Sequence, residues 1–146
     1  MGAEADRLDI AELPVRYALA IDRKDWPALA AIFTDDARYQ ITGREPVFGP
    51  QGPVGICSAA LEPLTFSQHI IGTTMVQLAG DEATISSYFH AQHVLEGTPG
   101  GDWYIVAGTY TDRAVRTAAG WKLAERDVTA QWTEGNPRVM QRDPIG

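Results

Sequence analysis

Three histidines and one aspartate carry most of the chemistry that this sequence could support. His69 stands in the middle of an apolar, β-branched run at residues 67–73, which has the composition of a β-strand. An imidazole held on a strand can act as an acid or a base near neutral pH, although a histidine in an apolar strand is more often a core residue. His93 lies in the next predicted strand, at a mirrored distance from the turn at residues 80–82. Antiparallel pairing therefore predicts that His69 and His93 are neighbours.

The second strand histidine, His90, competes with His93 for a place beside His69. Side chains alternate along a strand, so His93 shares one face with Phe89 and Ala91, and His90 lies on the other face. Only one of the two histidines can share a cavity with His69. The smaller, mixed side chains around His93 favour that residue.

A carboxylate partner for His69 is predicted at the end of the first helix. The helical period aligns Asp22 with the apolar stripe through Leu8 and Tyr17, whereas Asp25 has the setting of a surface carboxylate. A buried carboxylate beside an imidazole orients the ring and stabilises the imidazolium. Tyr17 and Tyr39 are phenols that could polarise a carbonyl group, with ordinary packing as the alternative interpretation.

Metal and nucleophilic chemistry find little support in the sequence. His90 and His93 are three residues apart, but on a strand they point to opposite faces. The sequence contains no paired cysteines, no H-E-x-x-H motif and no G-x-S-x-G motif. We therefore expect acid–base chemistry that needs neither a metal nor a cofactor.

The elements that would position these residues follow an α+β pattern. Helices are predicted over residues 6–22, 26–33 and 54–61; strands are predicted over residues 37–42, 67–78, 83–95, 103–115 and 121–132. Pro14 is expected to kink or divide the first helix, and Asp25 to cap the second. Residues 43–53 are predicted to be loop, and the tail after Gly135 to be short and polar. Helices followed by long antiparallel strands predict one domain, residues 1–146, with the helices on one face of a strongly curved sheet.

Composition restricts the partners and the compartment. The chain has 146 residues, a net charge of −7 and a pI near 4.8, which argues against nucleic acid and anionic membranes as partners. Cys57 is the only cysteine, so a reducing compartment fits. Neither a signal peptide nor an apolar run of about 20 residues is recognisable, which predicts a cytoplasmic protein. Apolar side chains occupy both faces of residues 83–95, which predicts a homo-oligomer, either a dimer or a trimer.

Three segments resemble a known family. They are Asp22-Arg23-Lys24-Asp25-Trp26, Gln68-His69-Ile70-Ile71-Gly72-Thr73-Thr74 and Gly120-Trp121-Lys122-Leu123-Ala124. These segments are similar to the scytalone dehydratase-like branch of the SnoaL-like proteins, which have the nuclear-transport-factor-like cone fold with an internal pocket. The resemblance implies that Asp22 and His69 form a catalytic dyad and that His93 is the second active-site histidine. Tyr39 lies two residues from the place of the dehydratase's strand tyrosine, which Ile41 occupies.

Several positions depart from the dehydratase pattern. Ile21 replaces a tyrosine that helps to hold a water, a role that Tyr17, one turn earlier, could take over. Gly108 and Tyr110 stand where the dehydratase has serine and asparagine, and the C-terminal lid is much shorter. These departures predict a differently shaped pocket and a substrate other than scytalone.

Together, the residues and the resemblance lead to a functional hypothesis. We expect a cofactor-independent lyase of dehydratase type that acts on a small apolar, oxygenated or cyclic substrate. His69 would move the proton, Asp22 would orient His69, and His93 would bind a substrate oxygen together with one of the tyrosines, Tyr17, Tyr39 or Tyr110. An isomerase or a polyketide-type cyclase would use the same pocket, and a non-catalytic ligand-binding protein or structural subunit is the alternative from another class.

Overall fold

Three α-helices and a six-stranded sheet make up the computed structural model, which describes residues 2–140. The elements are α1 (Ala3–Asp22), α2 (Trp26–Ala31), β1 (Phe33–Ile41), β2 (Val47–Phe48), α3 (Gln51–Leu61), β3 (Phe66–Ala79), β4 (Glu82–Val94), β5 (Trp103–Thr117) and β6 (Gly120–Gly135), followed by a short 3₁₀ turn, Pro137–Val139.

The sheet has the strand order β2-β1-β6-β5-β4-β3 and is not closed. β3, β4, β5 and β6 form an antiparallel meander of long strands, and β1 joins this meander in parallel beside β6. The predicted α+β class and the mostly antiparallel sheet are therefore confirmed. Four register shifts interrupt the pairing, and such bulges bend a sheet and increase its twist.

One of these bulges explains why residue 108 is a glycine. The register of β5 against β6 shifts between Ala107 and Gly108, where the two backbones approach closely. A Cβ atom at position 108 would lie 1.9 Å from the carbonyl oxygen of Thr129, so no other residue fits without moving the strand. Gly108 is thus required by the sheet.

The helices cover one face of the sheet, where the core lies. α1 contacts β3, β4 and β6, and it buries residues spaced three and four apart, including Ile10, Leu13, Tyr17 and Ile21. β4 alternates strictly, and its buried side chains are those of the face that carries Phe89, Ala91 and His93. The face that was preferred for His93 because of its neighbouring side chains is therefore the inner face.

Several local predictions were wrong. Pro14 does not divide the first helix: α1 continues through it, and its ring is fully buried, so packing outweighs the missing backbone donor. The predicted loop at residues 43–53 contains β2 and the start of α3. The second helix ends at Ala31, and β1 begins at Phe33 rather than at residue 37. The tail after Gly135 is not entirely polar surface, because Val139 is completely buried.

The opposite face of the sheet is open. Seven large apolar or aromatic side chains on the strands are 44–65% exposed: Phe48, Phe66, Ile70, Met75, Tyr88, Trp103 and Trp132. His90 also belongs to this face, with its ring 5.6 Å from that of Trp132. No helix within residues 2–140 is long and apolar enough to cross a membrane.

Candidate active site

The end of α1 brings Asp22 against β3. The side chain of Asp22 accepts three hydrogen bonds: from the His69 ring nitrogen Nδ1 at 2.7 Å, from the His69 backbone N–H at 2.8 Å and from the Ser67 hydroxyl at 3.0 Å. The side chains of His69 and Asp22 are 8% and 18% exposed. Three donors on one carboxylate hold it in a single orientation, so the ring of His69 is also held.

This geometry determines the tautomer of His69. A carboxylate can only accept, so Nδ1 of His69 carries the proton that is donated to Asp22. In the neutral ring the other nitrogen, Nε2, then has a free lone pair. A lone pair on an oriented imidazole backed by a carboxylate is the arrangement that a general base requires.

His93 lies beside His69, with the two ring centroids 5.7 Å apart and the ring planes nearly perpendicular. Its Nδ1 is 3.0 Å from the carbonyl oxygen of Tyr104, which can only accept. Burial, with a further contribution from the neighbouring His69, lowers the pKa of His93 to about 4. His93 is therefore neutral at pH 7, with Nδ1 protonated and Nε2 free to accept a hydrogen bond.

A cavity of about 220 Å³ joins the predicted residues. His69, His93, Tyr17, Tyr39 and Tyr110 all line it, whereas Asp22 lies behind His69. The rest of the lining is mainly apolar: Ile21, Ile41, Ile56, Ala60, Leu61, Phe89, Ala91, Val106, Val128, Ala130 and Met140. A cavity of about 150 Å³ accepts benzene, so this one has room for a single substituted ring.

Two tyrosines and a cysteine form a polar cluster in the cavity wall. The hydroxyl oxygens of Tyr17 and Tyr39 are 2.7 Å apart, and the Cys57 sulfur lies 3.5 Å from the former and 3.7 Å from the latter. Burial raises the pKa of all three groups, so they are protonated at neutral pH. One hydroxyl donates to the other, which leaves a second proton for the weakly accepting sulfur or for a ligand.

A buried ion pair between Arg126 and Asp112, which the sequence analysis missed, packs against the ring of Tyr110. The Arg126 guanidinium lies 3.9 Å from the Tyr110 ring centre and 4.2 Å from that of Tyr17. Asp112 accepts two hydrogen bonds from it, both 2.7 Å long. Asp112 alternates with Tyr110 and Ala114 on the inner face, which was a readable signal. A bulge in β6 shifts Arg126 out of the alternation set by Trp121 and Leu123, so no simple period indicated it.

Three further residues of the site were also missed: Ser67, Cys57 and Arg44. Ser67 precedes His69 by two residues and so shares its face, which was a readable signal. Cys57 and Arg44 reach the cavity from α3 and from the turn after β1, and no local pattern indicates this. Within residues 2–140, no three side chains of His, Cys, Asp or Glu come together as a metal-binding group.

Comparisons with known proteins agree with this architecture. The chain is 26% identical over 132 residues to gamma-hexachlorocyclohexane dehydrochlorinase of Sphingobium indicum, a match that covers 88% of this chain and 82% of the relative. The crystal structure of the Kfla4162 protein from Kribbella flavida superposes with a TM-score of 0.87 at 31% identity, covering 95% of this chain and 99% of that one.

A scytalone dehydratase-like protein from Novosphingobium aromaticivorans superposes with a TM-score of 0.82. It is 18% identical, and the match covers 91% of this chain and 89% of that one, which shows a common fold. Residues 3–127 match the SnoaL-like domain. This match spans most of the chain, and the chain therefore belongs to the SnoaL-like domain family.

Proposed function

We propose that this protein is a cofactor-independent lyase in which His69 is the base. The observation that carries the proposal is the contact between Asp22 and the Nδ1 of His69, at the wall of an apolar cavity. A dehydrochlorinase among the relatives is consistent with an elimination, because dehydration and dehydrochlorination both begin with removal of a proton.

In the proposed reaction, Nε2 of His69 takes a proton from a substrate carbon. The electrons of that C–H bond form a C=C double bond, and the bond to the leaving group on the adjacent carbon breaks. A leaving hydroxyl receives the proton back from His69 and departs as water, whereas a leaving halide departs as an anion and the proton passes to solvent. Asp22 stabilises the imidazolium that forms in between, and such acid–base help contributes about 10²–10⁴-fold to the rate.

The other polar residues would orient the substrate. Since Nδ1 of His93 is already bonded to the carbonyl of Tyr104, the neutral ring can only accept through Nε2, so we assign it to a substrate hydroxyl. We assign the donor to a substrate carbonyl to the hydroxyl pair of Tyr17 and Tyr39, because one of its two protons is not used within the pair. Tyr110 stacks on Phe89 at 4.6 Å and would form an aromatic wall for the ring.

Proton exchange tests the step shared by a lyase, an isomerase and a cyclase. The protein would be incubated in D₂O with chlorinated cyclohexanes and with cyclic ketones and cyclic β-hydroxyketones, each with and without a carboxylate on the ring. Exchange and elimination would be followed by NMR and mass spectrometry. Elimination supports a lyase, and exchange without elimination supports an isomerase or a cyclase. A wild-type protein that exchanges no substrate faster than His69→Gln refutes the proposal and favours the non-catalytic ligand-binding alternative.

We also propose that a second copy of the chain covers the open face of the sheet. Ile70, His90 and Trp132 lie on adjacent or next-but-one strands of this face, and exposed apolar side chains continue on either side. Contiguous apolar surface of this kind marks an interaction site. Light scattering should give a dimer or a trimer, and Ile70→Lys should shift it to monomer; a monomeric wild-type protein at micromolar concentration would contradict this.

A further inference from the structure

One side chain at the wall of the candidate active site, Arg44, carries a permanent positive charge and has no role in the proposed proton transfer. Arg44 lines the cavity with the residues described above. Its side chain is exposed, whereas His69 and His93 are deeply set, so Arg44 lies toward the open end of the cavity. Among the lining residues that the structure describes, no other side chain carries a permanent charge.

The backbone of Arg44 is anchored, whereas its guanidinium group is available. The Arg44 N–H donates to the carbonyl of Ile41 at 3.0 Å, and the Gln40 side-chain amide donates to the carbonyl of Arg44 at 3.1 Å. Ile41 itself lines the cavity, so this turn is tied to the wall. Within residues 2–140, no carboxylate pairs with Arg44, although six other basic side chains of the chain form ion pairs.

The surroundings favour an anion of limited size at this position. A chain with a net charge of −7 repels anions in general, so a guanidinium at a cavity mouth with no carboxylate partner among residues 2–140 is a local exception. Guanidinium groups match the geometry of carboxylates, which they bind through two parallel hydrogen bonds. The apolar volume of about 220 Å³ behind it has room for one ring.

We propose that the ligand of this cavity is a small monocyclic carboxylate, with its ring inside the cavity and its carboxylate on Arg44. The inference rests on the proposed function in one respect, namely that this ligand is the substrate of His69. Arg44 is then a specificity-determining residue: it binds a part of the substrate that does not react and directs the ring toward the two histidines.

A pair of ligands of equal shape tests the inference by binding alone. Cyclohexanecarboxylate and cyclohexanecarboxamide differ in charge but hardly in size, and both are titrated into the protein by calorimetry and by NMR of the His93 ring. The wild-type protein should bind the carboxylate about 10-fold more tightly or better, since hydrogen bonds between charged groups are stronger than neutral ones. The preference should weaken as the salt concentration rises.

Variants then assign the preference to one residue. Arg44→Gln should bind both ligands equally, and Arg44→Lys should restore part of the preference because it keeps the charge. Arg23→Gln is the matched control: Arg23 is also exposed and without an ion-pair partner in the described part of the chain, but it lines a separate groove between α1, α2 and the turn that joins β5 to β6. The Arg23→Gln variant should show the same preference for the carboxylate as the wild type.

The outcomes separate this inference from the lyase proposal. A wild-type protein that binds the carboxylate no better than the carboxamide, or that binds neither at millimolar concentration, overturns the inference even if proton exchange is observed. An unchanged preference in Arg44→Gln overturns it as well. A preference that depends on Arg44, in a protein without any exchange activity, supports the carboxylate site and removes only the lyase proposal.

Discussion

Replacing Asp22 by asparagine should test the proposed base more sharply than removing His69 itself. The asparagine side chain has the same shape, but it offers one acceptor oxygen and one donor nitrogen where the carboxylate now accepts three hydrogen bonds. If the amide oxygen replaces Oδ2, its NH₂ group faces Nδ1 of His69. The ring then accepts at Nδ1 and carries its proton on Nε2, where the lone pair of the base should be.

The magnitude follows from the role assigned to the dyad. Loss of an oriented general base costs about 10²–10⁴-fold in rate, which corresponds to about 3–5 kcal/mol of activation free energy. The free energy of unfolding should fall by about 2 kcal/mol, since hydrogen bonds to charged groups contribute about 1.5–3 kcal/mol. The protein should therefore remain folded at 25 °C, which circular dichroism can verify.

The assay combines kcat for the substrate found in the exchange experiment with ¹⁵N NMR of the His69 ring. We expect a protonated Nδ1 in the wild type, and in Asp22→Asn a protonated Nε2 with kcat reduced at least 100-fold. Ser67→Ala removes one donor to Asp22 but leaves its charge, so kcat should fall less than 10-fold. Asp25→Asn preserves the cap of α2, where Asp25 accepts from the N–H of Ala28, and should change nothing. An Asp22→Asn protein that retains more than a tenth of kcat would refute this reasoning.

Three further predictions concern stability. His93 has a pKa of about 4, below the value near 6.5 of the unfolded chain, so its contribution to stability is complete above pH 6.5 and is lost as the pH falls toward 4. His93→Gln should reduce this acid sensitivity by at most about 3 kcal/mol, as urea unfolding at pH 7 and pH 4.5 would show, and an identical pH dependence would contradict the assignment. Arg126 is completely buried with Asp112, so Asp112→Ala should lower the free energy of unfolding by about 3–5 kcal/mol. Replacing both residues by leucine should restore much of this stability, and an equal loss in the double variant would argue against an uncompensated charge as the cause. Gly108→Ala should unfold the protein or lower its melting temperature by about 10 °C or more, because its Cβ meets the backbone of β6, and an unchanged melting temperature would contradict the close approach.

Much of the fold was readable because its signals are local. The alternation in β4 put His90 and His93 on opposite faces, the side chains around His93 favoured its face as the inner one, and the structure agrees. The helical period likewise directed Tyr17 toward the core. Leu8, which was assigned to the same apolar stripe, is 69% exposed, so that part of the prediction was wrong. Both patterns depend only on the geometry of a single element, so neighbouring residues are sufficient to reveal them.

The errors have a common physical cause. Pro14 lowers the intrinsic stability of a helix, but its buried ring packs against the core and α1 continues. Val139 follows a polar stretch and yet is fully buried. In both places tertiary packing outweighs local propensity, and its strength cannot be estimated from the residues on either side.

The sequence by itself determined which residues can face the interior and, through resemblance to a family, which aspartate and histidines belong together. Only the tertiary structure decided how they are arranged. It placed Asp22 on Nδ1 of His69, occupied Nδ1 of His93 with a backbone carbonyl, and brought Cys57 and Arg44 to the cavity. Hydrogen bonds of this kind join residues far apart in the chain, and their partners depend on how the helices lie on the sheet, which no local period specifies.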